Sequence, residues 1–119
     1  MTIIKDIRAF TVDSNNKSTD YTSQPKGHWI TDTLVANPMA IYPEYRGSRT
    51  SWGIGVLGTV VVEVELENGI IGVGISTAGP PGCWIIENHL KQFAIGKNVT
   101  NVEIIWDQMW RASMPYGRK

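Results

Sequence analysis

The clearest structural signal in the sequence is GTVVVEVELENGIIGVGIST, residues 58–77. Its first half alternates with a period of two, which places apolar side chains on one face: Val60, Val62, Val64 and Leu66. The other face carries Val61, Glu63, Glu65 and Glu67, so this pattern indicates a strand with one buried and one solvated face. Asn68-Gly69 favours a two-residue type I′ turn. The sequence therefore predicts a β-hairpin in which residues 70–77 fold back on residues 60–66.

The segments around this hairpin predict the remaining elements. IIKDIRAFTV, residues 3–12, alternates loosely and predicts a first strand. After the hairpin, AGPPG favours a helix start, and we expect a helix over about residues 83–93. Its apolar face would carry Ile86, Leu90 and Phe93, and Gly96 would end it as a left-handed cap.

A second helix is predicted over about residues 101–112, before Pro115. Thr100 as N-cap and Glu103 three residues later have the spacing of a capping box. The helix has an apolar stripe that we expect to close the core over the sheet, formed by Val102, Ile105, Trp106, Met109 and Trp110.

The predicted fold class is α+β, with a three-stranded antiparallel sheet followed by a helix pair. The 119 residues suit one domain, residues 1–119, and 42% of them are apolar. Residues 13–51 show no sustained helical or strand period. A loop of this length in a compact domain is usually functional.

Composition excludes several classes of partner and location. The 11 basic residues balance 11 acidic ones, and no basic run stands out, so neither nucleic acid nor a membrane surface is an expected partner. No stretch approaches the length of a transmembrane helix. The chain has one cysteine, Cys83, and its N-terminus lacks a signal-peptide core, which predicts a cytoplasmic location.

The residues alone do not suggest a catalytic set. Alternate strand residues such as Glu63, Glu65 and Glu67 point to a solvated face rather than to a shared metal. Cys83 is expected to be an inert, partly buried thiol, since His28 and His89 are far apart in sequence. The glycines of GIGVLG and GIIGVG do not occur in the order of strand, glycine-rich turn and helix that a phosphate-binding loop requires, so a nucleotide site is not expected.

Four segments nevertheless carry a resemblance that covers essentially the whole chain. They are HWITD at residues 28–32, SRTSWGIGVLGTVVVEVELENG at 48–69, STAG at 76–79 and DQMW at 107–110. Together they resemble the N-terminal capping domain of the enolase superfamily, and within it the sequence is most similar to the L-rhamnonate dehydratase family.

The resemblance implies a lyase that acts on an acid sugar. A capping domain of this kind covers the mouth of the enzyme's own C-terminal (β/α) barrel, and residues 13–51, here called the lid, would close over the substrate. The base that abstracts the proton beside the carboxylate, and the residues that bind Mg²⁺, belong to the barrel. We therefore expect this chain to be part of a longer polypeptide that forms a homo-oligomer. Alone it would be inactive, with no catalytic or metal-binding residue.

Three residues of the lid are the predicted substrate contacts. Arg49 matches the family's substrate-binding arginine, whose guanidinium can hold a carboxylate or hydroxyls bidentately, although a surface arginine is the alternative. His28 matches the family's HW pair and would either fix the loop or touch the substrate. Thr22 stands where the family has a substrate histidine, and this departure leaves the particular acid sugar open. Trp29 and Trp52 are expected to pack beside the lid.

Two classes of function remain open at this point. The chain is either part of an acid-sugar dehydratase, with galactonate, fuconate and mandelate types as alternatives, or a stand-alone binding domain that retains only the cap. Exposed apolar surface around Trp106 and Trp110 would distinguish them, because a cap without its barrel leaves that face uncovered.

Overall fold

The structure, a computed structural model, describes residues 2–12, 38–45, 51 and 57–117. The chain divides into two compact units, one formed by Met1–Val12 together with Thr59–Lys119 and the other by Asp13–Gly58.

The first unit holds a three-stranded antiparallel sheet and two α-helices. Its strands are β1 (Ile4–Thr11), β2 (Val60–Leu66) and β3 (Ile71–Ser76), in the order β1-β2-β3. Helices α1 (Gly79–Asn88) and α2 (Val102–Ala112) follow, with 3₁₀ turns at Leu90–Phe93 and Met114–Tyr116. The predicted α+β class is confirmed.

The hairpin between β2 and β3 is confirmed, but its turn type differs from the prediction. The Gly69 amide donates to the Leu66 carbonyl at 2.9 Å, and the Leu66 amide donates to the Ile70 carbonyl at 2.9 Å. Gly69 has φ +86°, while no non-glycine residue in the described ranges has a positive φ. A type I′ turn needs a positive φ at Asn68 as well, so this is a three-residue loop with a glycine bulge. Asn68 instead accepts the Ile70 amide on its side chain at 3.1 Å.

Helix α1 begins earlier and ends earlier than the pattern predicted. It starts at Gly79, because Pro80 and Pro81 occupy the first turn, where a proline loses no hydrogen bond. It ends at Asn88, and Leu90–Phe93 forms a separate 3₁₀ turn. Gly96 has the predicted left-handed φ, +76°, but it ends this turn rather than the α-helix.

Helix α2 is confirmed within one residue, but its predicted capping box is absent. The N-cap is Asn101 rather than Thr100, and its side chain makes no capping hydrogen bond. Asn98 accounts for this shift, because it pairs with Ile3 in an isolated β-bridge and its side-chain oxygen accepts the Thr100 amide at 3.2 Å. This hydrogen bond makes Asn98 the start of an Asx turn, and the turn leaves Thr100 outside the N-cap position.

The core lies between the helices and the inner face of β1 and β2. Val60 is fully buried, and a cluster of buried residues is formed by Ile4, Ile7, Leu66 and Ala94. Ile105 and Met109 from α2 pack against this cluster. Two residues of the α2 stripe do not close over the sheet as predicted, because Val102 is 64% exposed and Trp106 is 58% exposed. The stripe is therefore wider than the face that the sheet can cover.

The second unit contains two 3₁₀ helices. They lie within residues 13–51, where the sequence shows no sustained helical or strand period. They span Pro38–Ile41 and Pro43–Tyr45, and each begins with a proline, whose fixed φ suits a helical first turn. The rings of Tyr42 and Tyr45 meet edge to face, with centroids 6.5 Å apart. Both rings and the Ile41 side chain are exposed.

Gly82 provides a test of the packing between α1 and β2. A Cβ at this position would overlap Ala78 Cβ and lie 3.3 Å from Val60 Cγ2. We therefore expect Gly82→Ala to lower the free energy of unfolding by roughly 1–3 kcal/mol, although alanine is the better helix former. Urea unfolding of dilute protein measures this loss.

Gly72→Ala is the matched control for this substitution. A Cβ at Gly72 would meet nothing within 4 Å, so this variant should keep the parent stability or exceed it. Equal stability of Gly82→Ala and the parent chain would contradict the close contact between α1 and β2.

Candidate functional site

The three predicted substrate contacts, Arg49, His28 and Thr22, lie outside the described residues. The same holds for Trp29 and Trp52. Their roles stay predictions. The described charged and aromatic groups of the first unit lie on the sheet and at the end of α1.

The outer face of the sheet carries a chain of ion pairs rather than a free carboxylate cluster. Arg8 on β1 bonds Glu63 at 3.3 Å and Glu65 at 2.9 Å across the β1–β2 pairing, and Lys5 bonds Glu65 at 2.8 Å. Hydrogen bonds from Lys5 and then Arg8 lower the pKa of Glu65. The bonds to Glu65 and Glu63 raise the pKa of Arg8. These pairs are partly exposed, so they order the face and stabilise the fold little.

A second set of charges joins α1 to the free edge of β1. The Glu87 carboxylate accepts the Ala9 amide at 2.7 Å, and its other oxygen lies 3.1 Å from Lys91 Nζ. Lys91 Nζ also lies 3.3 Å from the Asp6 carboxylate, whose oxygen accepts the Ile7 amide at 2.8 Å. This cluster replaces the missing neighbour strand at that edge of the sheet.

The electrostatics of this cluster follow from its bonds. The Ala9 amide is the main cause of the lowered pKa of Glu87, and the Ile7 amide is the main cause of the lowered pKa of Asp6. Glu87 and then Asp6 raise the pKa of Lys91. These shifts favour the charged forms of all three groups, as expected for a structural tie between α1 and β1. This cluster was not predicted from the sequence, although the spacing of four residues between Glu87 and Lys91 is a signal for an ion pair along a helix.

His89 is held by aromatic packing at the end of α1. Its Nδ1 lies 2.8 Å from the Tyr116 hydroxyl, and its ring meets Phe93 and Tyr116 edge to face at 5.7 and 5.6 Å. His89 is therefore a packed side chain at the end of α1. Cys83 is a free, partly buried cysteine on α1, and no described contact joins it to His89.

A shallow cleft of about 490 Å³ lies beside these groups, lined by Glu87, Asn88, His89, Lys91, Gln92 and Ile95. Its two charged side chains are already bonded to each other and to β1. Within residues 2–12, 38–45, 51 and 57–117, no group of three or more histidine, cysteine, aspartate or glutamate residues could hold a metal ion. The described part of the chain therefore does not fit a magnesium centre. No helix in it is long and apolar enough to cross a membrane.

Comparison with known proteins relates this α+β chain to a class of lyases. No family model matches the sequence. The chain is 56% identical over 116 residues to L-rhamnonate dehydratase of Saccharopolyspora erythraea, and 53% identical over 116 residues to a candidate L-rhamnonate dehydratase of Caldivirga maquilingensis. Each match covers 98% of this chain but only 29% and 28% of the two relatives.

Solved structures give the same relationship. The chain superposes on L-rhamnonate dehydratase from Gibberella zeae with a TM-score of 0.73 and 39% identity, covering 98% of this chain and 26% of that one. A structure of the Gibberella zeae rhamnonate dehydratase complexed with Mg gives a TM-score of 0.76 and 41% identity, covering 98% of this chain and 29% of that one. The resemblance to the L-rhamnonate dehydratases, in the enolase superfamily, is therefore confirmed, and the chain spans less than a third of these relatives.

The Glu87 cluster predicts a dependence of stability on pH. A carboxyl group with a lowered folded pKa contributes stability above its ordinary pKa of 4.5, and this stability is lost as the pH falls through the folded value. Glu87→Gln keeps an oxygen for the Ala9 amide but removes the charge. We expect it to be less stable than the parent at neutral pH and to lose less stability between about pH 5 and pH 3.

Urea midpoints across this pH range measure the effect. Glu103→Gln is the matched control, since Glu103 is exposed on α2 and makes no ion pair with another described residue. If the urea midpoints of the parent and of Glu87→Gln change by the same amount between these pH values, the Glu87 carboxylate does not tie α1 to β1.

Proposed function

We propose that the chain is the capping and specificity region of a Mg²⁺-dependent acid-sugar dehydratase of the L-rhamnonate dehydratase type. The observation that carries the proposal is the 56% identity to the Saccharopolyspora erythraea dehydratase over 98% of this chain. The reaction would be proton abstraction beside the carboxylate, followed by loss of water to give a 2-keto-3-deoxy acid.

The chain's own role in this reaction is to bind and enclose the substrate. Arg49 presents a planar pair of donors to the substrate carboxylate or hydroxyls, which a lysine cannot reproduce. His28 and Thr22 line the same lid. Mg²⁺ would be held by residues outside this chain and would supply charge stabilisation. We expect the 119 residues alone to be inactive.

The exposed face of α2 supports a cap that packs on its own barrel rather than a stand-alone domain. Trp106 and Trp110 stack with centroids 5.9 Å apart and an interplanar angle of 15°. Trp106 and Val102 are nevertheless more than half exposed. Exposed apolar side chains grouped on one helix mark a contact surface for another domain, and the proposed barrel would supply that domain.

A chimera tests the proposed function directly. The 116-residue matching segment of the Saccharopolyspora erythraea enzyme is replaced by this chain, and the product is assayed with Mg²⁺ on a panel of acid sugars. We expect dehydration of L-rhamnonate or of a close acid sugar by the chimera and none by the 119 residues alone. A chimera that melts cooperatively but dehydrates no acid sugar would contradict the proposal, while a different preferred sugar would reassign the substrate.

Arg49 can be tested in the same chimera. Arg49→Lys keeps the charge but loses the bidentate geometry, at a cost of about 1.5–3 kcal/mol in transition-state binding. We therefore expect a roughly tenfold to hundredfold lower kcat/KM on the preferred acid sugar. Thr22→Ala removes one hydroxyl and should cost much less.

The melting temperature serves as the control for both variants and should barely change, because an arginine in a polar loop contributes little to folding. If the kcat/KM of Arg49→Lys stays within about twofold of the parent value, Arg49 is a surface residue. The loss of a charge-assisted hydrogen bond would have a larger effect.

A further inference from the structure

The loop between β2 and β3 contains the chain's only asparagine that is followed by a glycine, Asn68. Asn68 and Gly69 are both exposed, and a Cβ at Gly69 would meet nothing within 4 Å. The turn requires this glycine, because its φ is +86°. The missing side chain also leaves the Gly69 nitrogen open to a reactive neighbour. Along the chain that neighbour is the Asn68 side-chain amide, whose Cγ and the Gly69 nitrogen can close a succinimide ring.

The side-chain amide of Asn68 is placed to accept a nucleophile. Its oxygen accepts the Ile70 amide at 3.1 Å, so a hydrogen-bond donor already lies at the atom that becomes negative when the carbonyl carbon is attacked. Its nitrogen, the leaving group of such an attack, makes no hydrogen bond with another described residue. In Asn88, by contrast, the side-chain nitrogen donates to the Trp84 carbonyl at 2.9 Å.

The hydrogen bond of the Gly69 amide limits this reaction. The amide donates to the Leu66 carbonyl at 2.9 Å, and this bond must break before the nitrogen can attack. The bond lies at the tip of a hairpin, where local opening costs little free energy. All 6 residues of β3 are exposed, so little packing holds this end of the hairpin closed.

We propose that Asn68 is a modification site, at which the chain deamidates spontaneously through a succinimide. The Gly69 nitrogen forms a bond to Asn68 Cγ and the Cγ–Nδ2 bond breaks. The proton of the Gly69 nitrogen passes through solvent to Nδ2, which leaves as ammonia. Water then adds to either carbonyl of the ring and opens it to aspartate or isoaspartate. This inference does not depend on the proposed function.

The isoaspartate product changes the backbone of the loop. Its main chain runs through the former side chain, which adds a methylene between β2 and β3. Leu66 bonds Gly69 through its carbonyl and Ile70 through its amide across this loop. Because loop length and turn type fix the register of a hairpin, the longer backbone disturbs these bonds. Modification at Asn68 therefore loosens the attachment of β3 to the sheet.

Peptide mass spectrometry of the folded 119-residue chain, stored at mildly alkaline pH, tests the site. Asn98 is the matched internal control, because its side-chain oxygen also accepts the amide two residues later, at 3.2 Å. The amide that follows Asn98 is bonded too, from Val99 to the Thr2 carbonyl at 2.8 Å. Val99 is β-branched and Asn98 is only partly exposed, so the ring closes less readily there. We expect Asn68 to lose its amide at least roughly tenfold faster than Asn98.

Two variants separate the ring route from direct hydrolysis. Asn68→Asp keeps an oxygen for the Ile70 amide and should still yield isoaspartate, because its carboxyl group can close the same ring. Asn68→Ser cannot close the ring and should abolish the fast change in mass. Circular dichroism confirms that each variant is folded. Amide loss at Asn68 no faster than at Asn98, or a fast change that persists in Asn68→Ser, would overturn the site. Aspartate without isoaspartate in the parent chain would overturn the attack by the Gly69 nitrogen.

Urea unfolding of the separated products measures the effect on the hairpin. The isoaspartate form should have a lower urea midpoint than the parent chain. The aspartate form is the control, since its backbone is unchanged, and its midpoint should stay near that of the parent. Equal midpoints for the isoaspartate and aspartate forms would overturn the loosening of β3.

Discussion

The antiparallel pairing of β1 with β2 is the constraint on which the described fold depends. These strands are separated in sequence by residues 12–59, and Ile7 lies opposite Val64 in their register. This long-range pairing creates the inner face on which Ile4, Ile7 and Leu66 meet. Ala94, which follows the 3₁₀ turn at Leu90–Phe93, and Ile105 and Met109 of α2 are added to that face, but the two α-helices bring few fully buried side chains of their own. Without β1, the hairpin would be a two-stranded ribbon, which is marginally stable in water.

The exposed edge of β1 explains the position of the polar side chains at the end of α1. A strand at the edge of a sheet exposes amides and carbonyls, and β1 is covered by Asp6, Glu87 and Lys91 instead of by a fourth strand. The charged groups of this cluster therefore cover the edge of the sheet at β1. On the opposite edge, β3 itself contains no charged residue, and no described residue bonds the outward backbone groups of Ile71, Val73 and Ile75.

The relationship to L-rhamnonate dehydratases gives this arrangement a functional context. The chain matches these relatives over almost its full length but covers less than a third of theirs. The described residues contain no group of three or more potential metal ligands, and Glu65, Glu87 and Lys91 are bonded within the fold. The coverage of the relatives is consistent with the proposal that this chain is one region of a longer protein. The apolar face of α2 is what such a region would present to a larger partner.

The sequence by itself determined the α+β class, the hairpin and the bounds of α2, because local periodicity and turn residues report on backbone conformation. The family resemblance likewise followed from short motifs, and it supplied Arg49, His28 and Thr22, which the described residues do not include. Only the tertiary structure decided the turn type at Gly69, the failure of the Thr100 cap and the tie between Glu87 and β1. Each of these depends on hydrogen bonds that compete with the locally preferred ones, and several of the competing groups are distant in sequence. The half-exposed stripe of α2 has a similar origin, since a helix's period gives the width of its apolar face but not the width of the surface that covers it.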